Sequence, residues 1–237
     1  MGQKKAVQMS CLECQSRNKS LFGVLCSHEL SQISDAKSCT NYKKGQVLFH
    51  EGTRPLGVFC INTGKVKVYK VGADGKEQIM KVTKEGDVLG YKAMISEEHY
   101  PVTAETLEDC TICFVPKNDF LSLLTENPGF NKKLLQTVCQ ELGIMSEKLT
   151  NLAQKSVRER LAITLLMLKE TYGMEGEENE SVEINLTRED LANIVGTATE
   201  TLIRLLHDFK EENLISTKGR KINVENSKGL VKAAGVM

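Results

Sequence analysis

Residues 187–215 leave this chain few ways to fold. The window opens on Thr187-Arg188-Glu189-Asp190 and continues into Leu191, Ala192, Ile194 and Val195, the spacing of one buried helix face. Gly196 follows. Glycine alone reaches positive φ cheaply, so the helix must stop there and the chain must bend. Thr197 offers a hydroxyl as N-cap, and Glu200 stands three residues on, which predicts a capping box and a second helix over about Thr197–Lys210. Leu202, Leu205, Leu206 and Phe209 give that helix its core face and leave Thr199, Glu200, Ile203, Arg204 and His207 opposite. Two short helices joined by so tight a bend suit a helix-turn-helix whose second helix enters the DNA major groove. An ordinary antiparallel helix pair shares the glycine and the apolar stripes, and the window alone leaves it open.

Charge narrows how such a surface could work. The formal net charge is zero, and acidic residues outnumber basic ones from residue 155 onward, which excludes a basic nucleic-acid coat. Phosphate contact needs only a handful of well-placed cations. Two clusters qualify, Lys218-Gly219-Arg220-Lys221 and Lys155 with Arg158 and Arg160. The 41% apolar and 26% charged composition is that of a folded globular chain, and 237 residues suffice for one large or two modest domains. The apolar-rich run Leu161–Leu168 is far too short to span a bilayer. The first residues lack the apolar core of a secretory signal, so no membrane partner and a cytoplasmic location are expected. Four scattered histidines and the absence of any G-x-S-x-G, H-E-x-x-H or phosphate-loop pattern give no catalytic set, and enzyme activity is not expected.

Taken in order, the chain changes character twice. Residues 1–40 read as a polar tail, then Cys11-Leu-Glu-Cys14, then a helical stretch through Leu21-Phe22 to Ile33. From Lys43 to Val115 short β-rich runs (47–49, 57–61, 65–71, 78–82, 111–115) alternate with glycine turns, the pattern of an antiparallel sandwich or jelly roll. A short helix over 118–124 is broken at Asn127-Pro128-Gly129, and a long helix follows. Along it Leu135, Val138, Leu142, Met145, Leu149 and Leu152 recur at alternating spacings of 3 and 4, an a/d stripe that predicts a two-helix dimer seam. Packing of the same stripe on the chain's own sheet is the alternative. Ser156-Val-Arg-Glu159 is a capping box that starts a new helix running to about Tyr172, so a hinge falls there. An acidic loop over 173–180 leads to a short strand at 182–186. After the helix pair, residues 216–224 read as a β-hairpin whose tip carries Lys218, Arg220 and Lys221, a wing for backbone phosphates. The expected fold class is therefore α+β. A jelly-roll-like sensor with its N-terminal segment occupies 1–127, a dimerisation helix 128–155, and a winged helix-turn-helix 156–237.

This order resembles the Crp/Fnr family of bacterial transcription regulators, over nearly the whole chain. The residues that carry the resemblance are Leu186-Thr187-Arg188-Glu189-Asp190-Leu191-Ala192, Val195-Gly196, Glu200-Thr201-x-x-Arg204-x-Leu206 and Gly86-Asp87-Val88-Leu89-Gly90. The resemblance implies a homodimeric activator on a palindromic promoter site, working with RNA polymerase. It also implies that Glu200 and Arg204 read a G·C pair. Geometry agrees independently: i and i+4 share a helix face, arginine forks onto guanine, and glutamate accepts from cytosine. The DNA-facing set is then Thr187, Thr199, Glu200, Thr201, Ile203 and Arg204 with Lys218, Arg220 and Lys221. Ile203 departs from the small residue of well-known members and could pack on a thymine methyl.

The sensor departs further. Relatives that bind cyclic AMP carry a Gly-Glu-Leu segment and a phosphate-neutralising arginine. Here the first segment is Gly90-Tyr91-Lys92-Ala93, and no arginine occurs between Arg54 and Arg158. A buried phosphate needs a paired cation. The expected pocket of Gly90, Tyr91, Lys92, His99, Tyr100 and Thr103 is thus read as serving a small-molecule effector other than cyclic AMP, of unknown identity, with an empty roll as the alternative. The oxygen-sensing branch of the family holds an iron–sulfur cluster on four cysteines. This chain matches it at Cys11, Cys14 and Cys113, while the remaining position falls on Ser20, so the four-thiolate set is incomplete, and a cluster would be held by three thiolates with Ser20 or by recruiting Cys26 or Cys110. Zinc and plain free thiols stay open beside a redox-sensing cluster. The eight cysteines are expected to be free, metal-binding or redox-active rather than structurally bridged. An effector-binding protein that acts through protein contacts is the rival reading of the whole chain.

Overall fold

The computed structural model describes residues 9–173 and 182–235. The expected acidic loop falls, from residue 174 on, outside the described residues, as does the start of the polar tail. Two short 3-10 turns (Gln15–Lys19 and Leu21–Val24) lead into α1 (Ser27–Ala36). The roll follows as β1 (Ser38–Tyr42), β2 (Val47–Phe49), β3 (Gly57–Thr63), β4 (Val66–Val71), β5 (Glu77–Thr83), β6 (Val88–Leu89), α2 (Tyr91–Ile95), β7 (Thr103–Thr106) and β8 (Cys110–Pro116). Then come α3 (Lys117–Glu126), the long α4 (Pro128–Gln154), α5 (Val157–Tyr172), β9 (Glu183–Asn185), α6 (Arg188–Val195) and α7 (Thr199–Glu211). The described chain ends with β10 (Ile215–Lys218), β11 (Lys221–Val224) and α8 (Ser227–Ala233). The fold class is the α+β expected.

The chain packs as two compact units. One takes in the chain up to Lys70 together with Lys81–Leu142, and the other takes in Val71–Met80 with the chain from Gly143. In the first, two four-stranded antiparallel sheets, ordered β1-β8-β3-β6 and β2-β7-β4-β5, form the roll. Its interior is filled by Phe49, Phe59, Ile61, Val66, Val68 and Ile112. A second cluster, with Leu30, Val58, Val115, Phe120 and Phe130, seats α1, α3 and the start of α4 on β3 and β8. Ser38–Tyr42 and Thr103–Thr106 were not anticipated as strands, because their polar sequences carry no apolar run; pairing with neighbours makes them strands.

Helix starts follow local chemistry. Pro128 occupies the first turn of α4, where its missing N–H costs nothing, and the Asn127 side chain accepts from the Phe130 N–H at 2.8 Å. At Ser156 the expected capping box forms: its hydroxyl accepts from Glu159 N–H, and the Glu159 carboxylate accepts from Ser156 N–H at 2.8 Å. The second box, predicted on Thr197, does not form. Both Gly196 N–H and Thr197 N–H donate to the Ala192 carbonyl, so Thr197 still belongs to the end of α6, and Ala198 becomes the N-cap of α7.

The second unit is organised around α5. Leu161, Leu165 and Leu168 are fully buried there with Leu191, Leu202, Phe209, Ile222 and Leu230. A three-stranded antiparallel sheet, ordered β10-β11-β9, closes it. Phe209 is buried and carries the Arg158 guanidinium over its ring at 4.6 Å. Phe209→Ala is expected to cost about 3–5 kcal/mol in chemical denaturation followed by circular dichroism. Ile203→Ala, at an exposed position, should shift the same transition by no more than about 0.5 kcal/mol.

Candidate functional site

The corner between α6 and α7 is built as a rigid joint. Thr187 caps α6, its hydroxyl accepting from Asp190 N–H at 2.9 Å and donating to the Asp190 carboxylate at 2.6 Å. That hydroxyl, expected on DNA, is therefore engaged within the chain. Gly196 ends α6 at φ 72°, in the left-handed region where a side chain would be strained. Arg160, on α5, donates to the carbonyls of Val195 at 3.1 Å, Gly196 at 3.1 Å and Lys155 at 2.9 Å.

From this corner α7 buries Leu202, Leu206 and Phe209 and exposes Glu200, Ile203, Arg204 and His207. Leu205, expected in the core, is half-buried, and so are Thr199 and Thr201. Ile203 stands 52% exposed, an unusual place for a large apolar residue between two charged ones. At the wing, Lys218 and Arg220 are exposed on either side of Gly219, and Lys221 pairs with Glu183 across the β11–β9 register. Arg188 donates to the carbonyls of Gly219 and Arg220 and so holds the wing's tip against the start of α6. The second expected cation cluster is not available to phosphates. Lys155 binds Glu159 and the carbonyls of Ala234 and Gly235; Arg158 donates from Nη2 to both Glu212 oxygens at 2.7 and 2.6 Å; and Arg160 closes the corner.

Of the six residues expected to form an effector pocket, Gly90 lies against Tyr100, and the polar groups of Tyr91, Lys92, Tyr100 and Thr103 are engaged within the chain. Tyr91 donates to Glu141 at 2.7 Å, and the Lys92 ammonium pairs with the same carboxylate at 2.6 Å. Tyr100 stacks on Phe49 and donates to the Gly57 carbonyl; burial pushes its hydroxyl up to about 12. Thr103 is buried and accepts from Glu51 N–H. His99 is exposed. Gly90, at φ 90°, leaves only 3.3 Å between an added Cβ and the Tyr100 ring. The cause is the aromatic filling of the roll around Phe49, Phe59 and Tyr100, which the sequence did not disclose.

The comparisons follow this geometry. Residues 39–127 match the cyclic nucleotide-binding domain, and residues 159–233 match the Crp-like helix-turn-helix domain. The fumarate and nitrate reduction regulatory proteins of Yersinia pestis and of Escherichia coli K12 are each 28% identical over 226 residues, covering 95% of this chain and 90% of theirs. The chain belongs to the Crp/Fnr family of DNA-binding transcription regulators. Among solved structures, FixK2 of Bradyrhizobium japonicum superposes with a TM-score of 0.74 at 24% identity, over 83% of this chain and 96% of that one. A Crp/Fnr-family transcriptional regulator of Thermus thermophilus gives 0.69 at 24% identity, over 83% and 98%. Both share the fold. Among the described residues, no helix of this Crp/Fnr regulator is long and apolar enough to cross a membrane.

The cysteines of this Crp/Fnr chain do not form the cluster-binding set that the oxygen-sensing branch implies. Cys113 is joined to Cys39 in a disulfide, contrary to the expectation of unbridged cysteines, because the β1–β8 register places the two directly opposite. Ser20 is buried, and its hydroxyl accepts from Phe22 N–H at 2.9 Å. Neither proposed substitute serves. Cys26 is exposed, and Cys110 lies an odd number of residues from Cys113, on the opposite strand face, where its thiol donates to the carbonyls of Lys65 and Glu108. Among the described residues no three His, Cys, Asp or Glu side chains stand ready to hold one metal ion. The residue missed in the sequence is Cys60. It is half-buried, burial pushes its thiol up to about 12, and it lines one cavity with Cys11, Cys14 and Cys113.

Glu141 anchors the remaining polar group of the roll unit. Burial alone would raise its carboxyl, but the Lys81 charge, the hydrogen bonds from Lys92 and Tyr91 and the Lys92 charge hold it at about 2, below the ordinary 4.5. A carboxyl depressed in the folded state stabilises it fully above the unfolded value and loses that contribution as pH falls through the folded one. Wild-type protein should therefore lose on the order of 2 kcal/mol between about pH 5 and about pH 2 that Glu141→Gln does not lose, read from denaturation midpoints across that range.

Proposed function

We propose that this regulator binds a palindromic promoter site as a homodimer, reading one G·C pair of each half-site with Glu200 and Arg204. The observation that carries the reading is the exposed Glu200–Ile203–Arg204 face of α7, presented from a corner locked by Gly196 and Arg160. Thr199 and Thr201 flank this face, and Ile203 packs on a thymine methyl beside the G·C pair. Lys218 and Arg220 approach the backbone phosphates, while Lys221, balanced by Glu183, contributes less. Pairing through α4 is supported by the exposure of its whole a/d stripe in the single chain. Leu135, Leu142 and Leu149 stand 64%, 67% and 70% exposed, and Val138, Met145 and Leu152 share their edge. Apolar side chains in such a row gain most of their transfer free energy only when a second helix covers them.

The regulator works in the cytoplasm, acts on RNA polymerase as an activator, is not an enzyme, and answers to an effector other than cyclic AMP. The last point is supported by the engagement of Lys92 with Glu141 and the exposure of His99, which leave neither as a buried cation for a phosphate. Arg204→Ala should weaken specific binding by about 1–3 kcal/mol and relax preference at one base pair of each half-site. Selection of bound sites from a random duplex pool checks this, and an unchanged consensus and affinity would overturn the assignment. Replacing Leu142 and Leu149 together by glutamate should give a monomer in sedimentation that no longer distinguishes a full palindrome from a half-site. A dimer that persists in that variant would remove α4 as the seam.

A further inference from the structure

One hairpin of the roll does not stay with the roll. β4 and β5 are joined through residues 72–76, where Gly72 N–H donates to the Lys76 carbonyl at 2.8 Å. Residues Val71–Met80 belong to the compact unit that carries α5, α6 and α7. β5 thus begins in that unit and, from Lys81 on, ends in the other, just as α4 passes from one to the other at Leu142–Gly143. Within each unit the two elements are bonded to one another. In the first, Lys81 pairs with Glu141 at 3.0 Å. In the second, Lys148 donates to the carbonyls of Ile79 at 3.3 Å and Met80 at 3.0 Å. β5 is an edge strand, where backbone groups lack a neighbouring strand on one side, and Lys148 serves two of its carbonyls.

The same hairpin reaches the end of α6. Gln78 Nε2 donates to the Asn193 carbonyl at 2.6 Å, across 115 positions of sequence. A helix leaves its last four carbonyls without intrahelical partners. α6 runs only from Arg188 to Val195, so Asn193 is among those four, and Val195, another, takes Arg160. The end of α6 is therefore capped from two sides, by α5 and by the hairpin. Gln78 Oε1 lies 3.5 Å and Leu152 Cδ2 3.3 Å from the place a Cβ on Gly196 would occupy. Glu200, Ile203 and Arg204 remain exposed, so the hairpin backs the corner and leaves the reading face open.

We propose that Gln78 is a positioning residue for DNA recognition. It ties the end of α6, and with it the angle at which α7 leaves Gly196, to the β4–β5 hairpin. A shift of β5 in the roll then reaches the reading helix by a route other than the covalent one through Ser156. The inference rests on α7 as the helix that meets DNA, but not on which base pair Glu200 and Arg204 read. Its chemistry is specific to a donor. A backbone carbonyl only accepts, so the amide N–H of Gln78 must donate. A carboxylate in its place has no proton to give and meets the negative end of the α6 dipole. The corner then loses one outside support, while the face of Glu200, Ile203 and Arg204 keeps every atom. The signature is lost affinity with unchanged sequence preference.

The test uses the full chain and the duplex that wild type selects from a random pool. Gln78→Glu should weaken binding to that duplex by about fivefold to tenfold. The selected consensus should not change, and affinity for random duplex should stay within about twofold. Gln78→Met, which removes the donor without adding charge, should act the same way. In hydrogen exchange, the Gly196 and Thr197 amides that share the Ala192 carbonyl should lose protection, while those of Leu165 and Leu168 in α5 keep theirs. Lys148→Met should also weaken specific binding, and combined with Gln78→Met it should cost less than the two single losses together. Unchanged affinity in both Gln78 variants, an equal fall on selected and random duplex, or loss of protection throughout α5 would overturn the positioning role. So would a changed consensus, which would put Gln78 on the DNA itself. Strictly additive losses from Gln78 and Lys148 would overturn the route through the hairpin. An unchanged consensus in Arg204→Ala would remove the base-pair assignment and leave this inference standing.

Discussion

Arg160 ties together backbone that could otherwise stay open to water. The last carbonyls of a helix have no intrahelical partner and carry the negative end of its dipole. One guanidinium, with five donors in a fixed fork, serves the carbonyl of Lys155 behind α4 and those of Val195 and Gly196 behind α6. The angle at which α7 leaves Gly196, and hence the direction in which Glu200 and Arg204 point, depends on that clamp. Lysine would not substitute: a point charge on a flexible stem cannot hold three divergent carbonyls at once.

The helical half of this architecture was legible because its signals are local. Gly196, the Ser156–Glu159 box and the a/d stripe each involve residues within four positions of one another, and each marks a feature that the structure retains. Thr197 does not cap α7 for a local reason too: two N–H groups after α6 share the Ala192 carbonyl, and the N-cap falls one residue on, at Ala198. The roll was legible only as a class. Which residues fill it depends on pairings between strands far apart in sequence, and the stacking of Tyr100 on Phe49 has no signature in either segment alone. Nor does either segment show that Tyr91 and Lys92 turn to Glu141 on α4. Cys60 went unnoticed for the same reason, because its neighbours become Cys113, Cys11 and Cys14 only once β3 is set beside β8 and the N-terminal turns lie over both.

Within the roll unit, charge is put to two different uses. Around Glu141, cations from β5 and α2 neutralise one carboxylate that helix α4 supplies. Around the cavity of Cys11 and Cys60, Arg17 and Lys37 stand beside groups that are neutral as thiols and negative as thiolates. At Cys60 burial outweighs the nearby Lys37 charge, and the thiol is pushed up to about 12.

The engagement of Lys155, Arg158 and Arg160 inside the protein bears on how this regulator searches a chromosome. Attraction to arbitrary duplex comes almost entirely from cations that displace counterions, and these three are withdrawn from that role. A surface with fewer free cations holds arbitrary duplex less tightly, and the decoy sites that outnumber any promoter then sequester fewer copies. Occupancy of the right site is set less by how tightly the protein holds DNA than by how little it holds the rest.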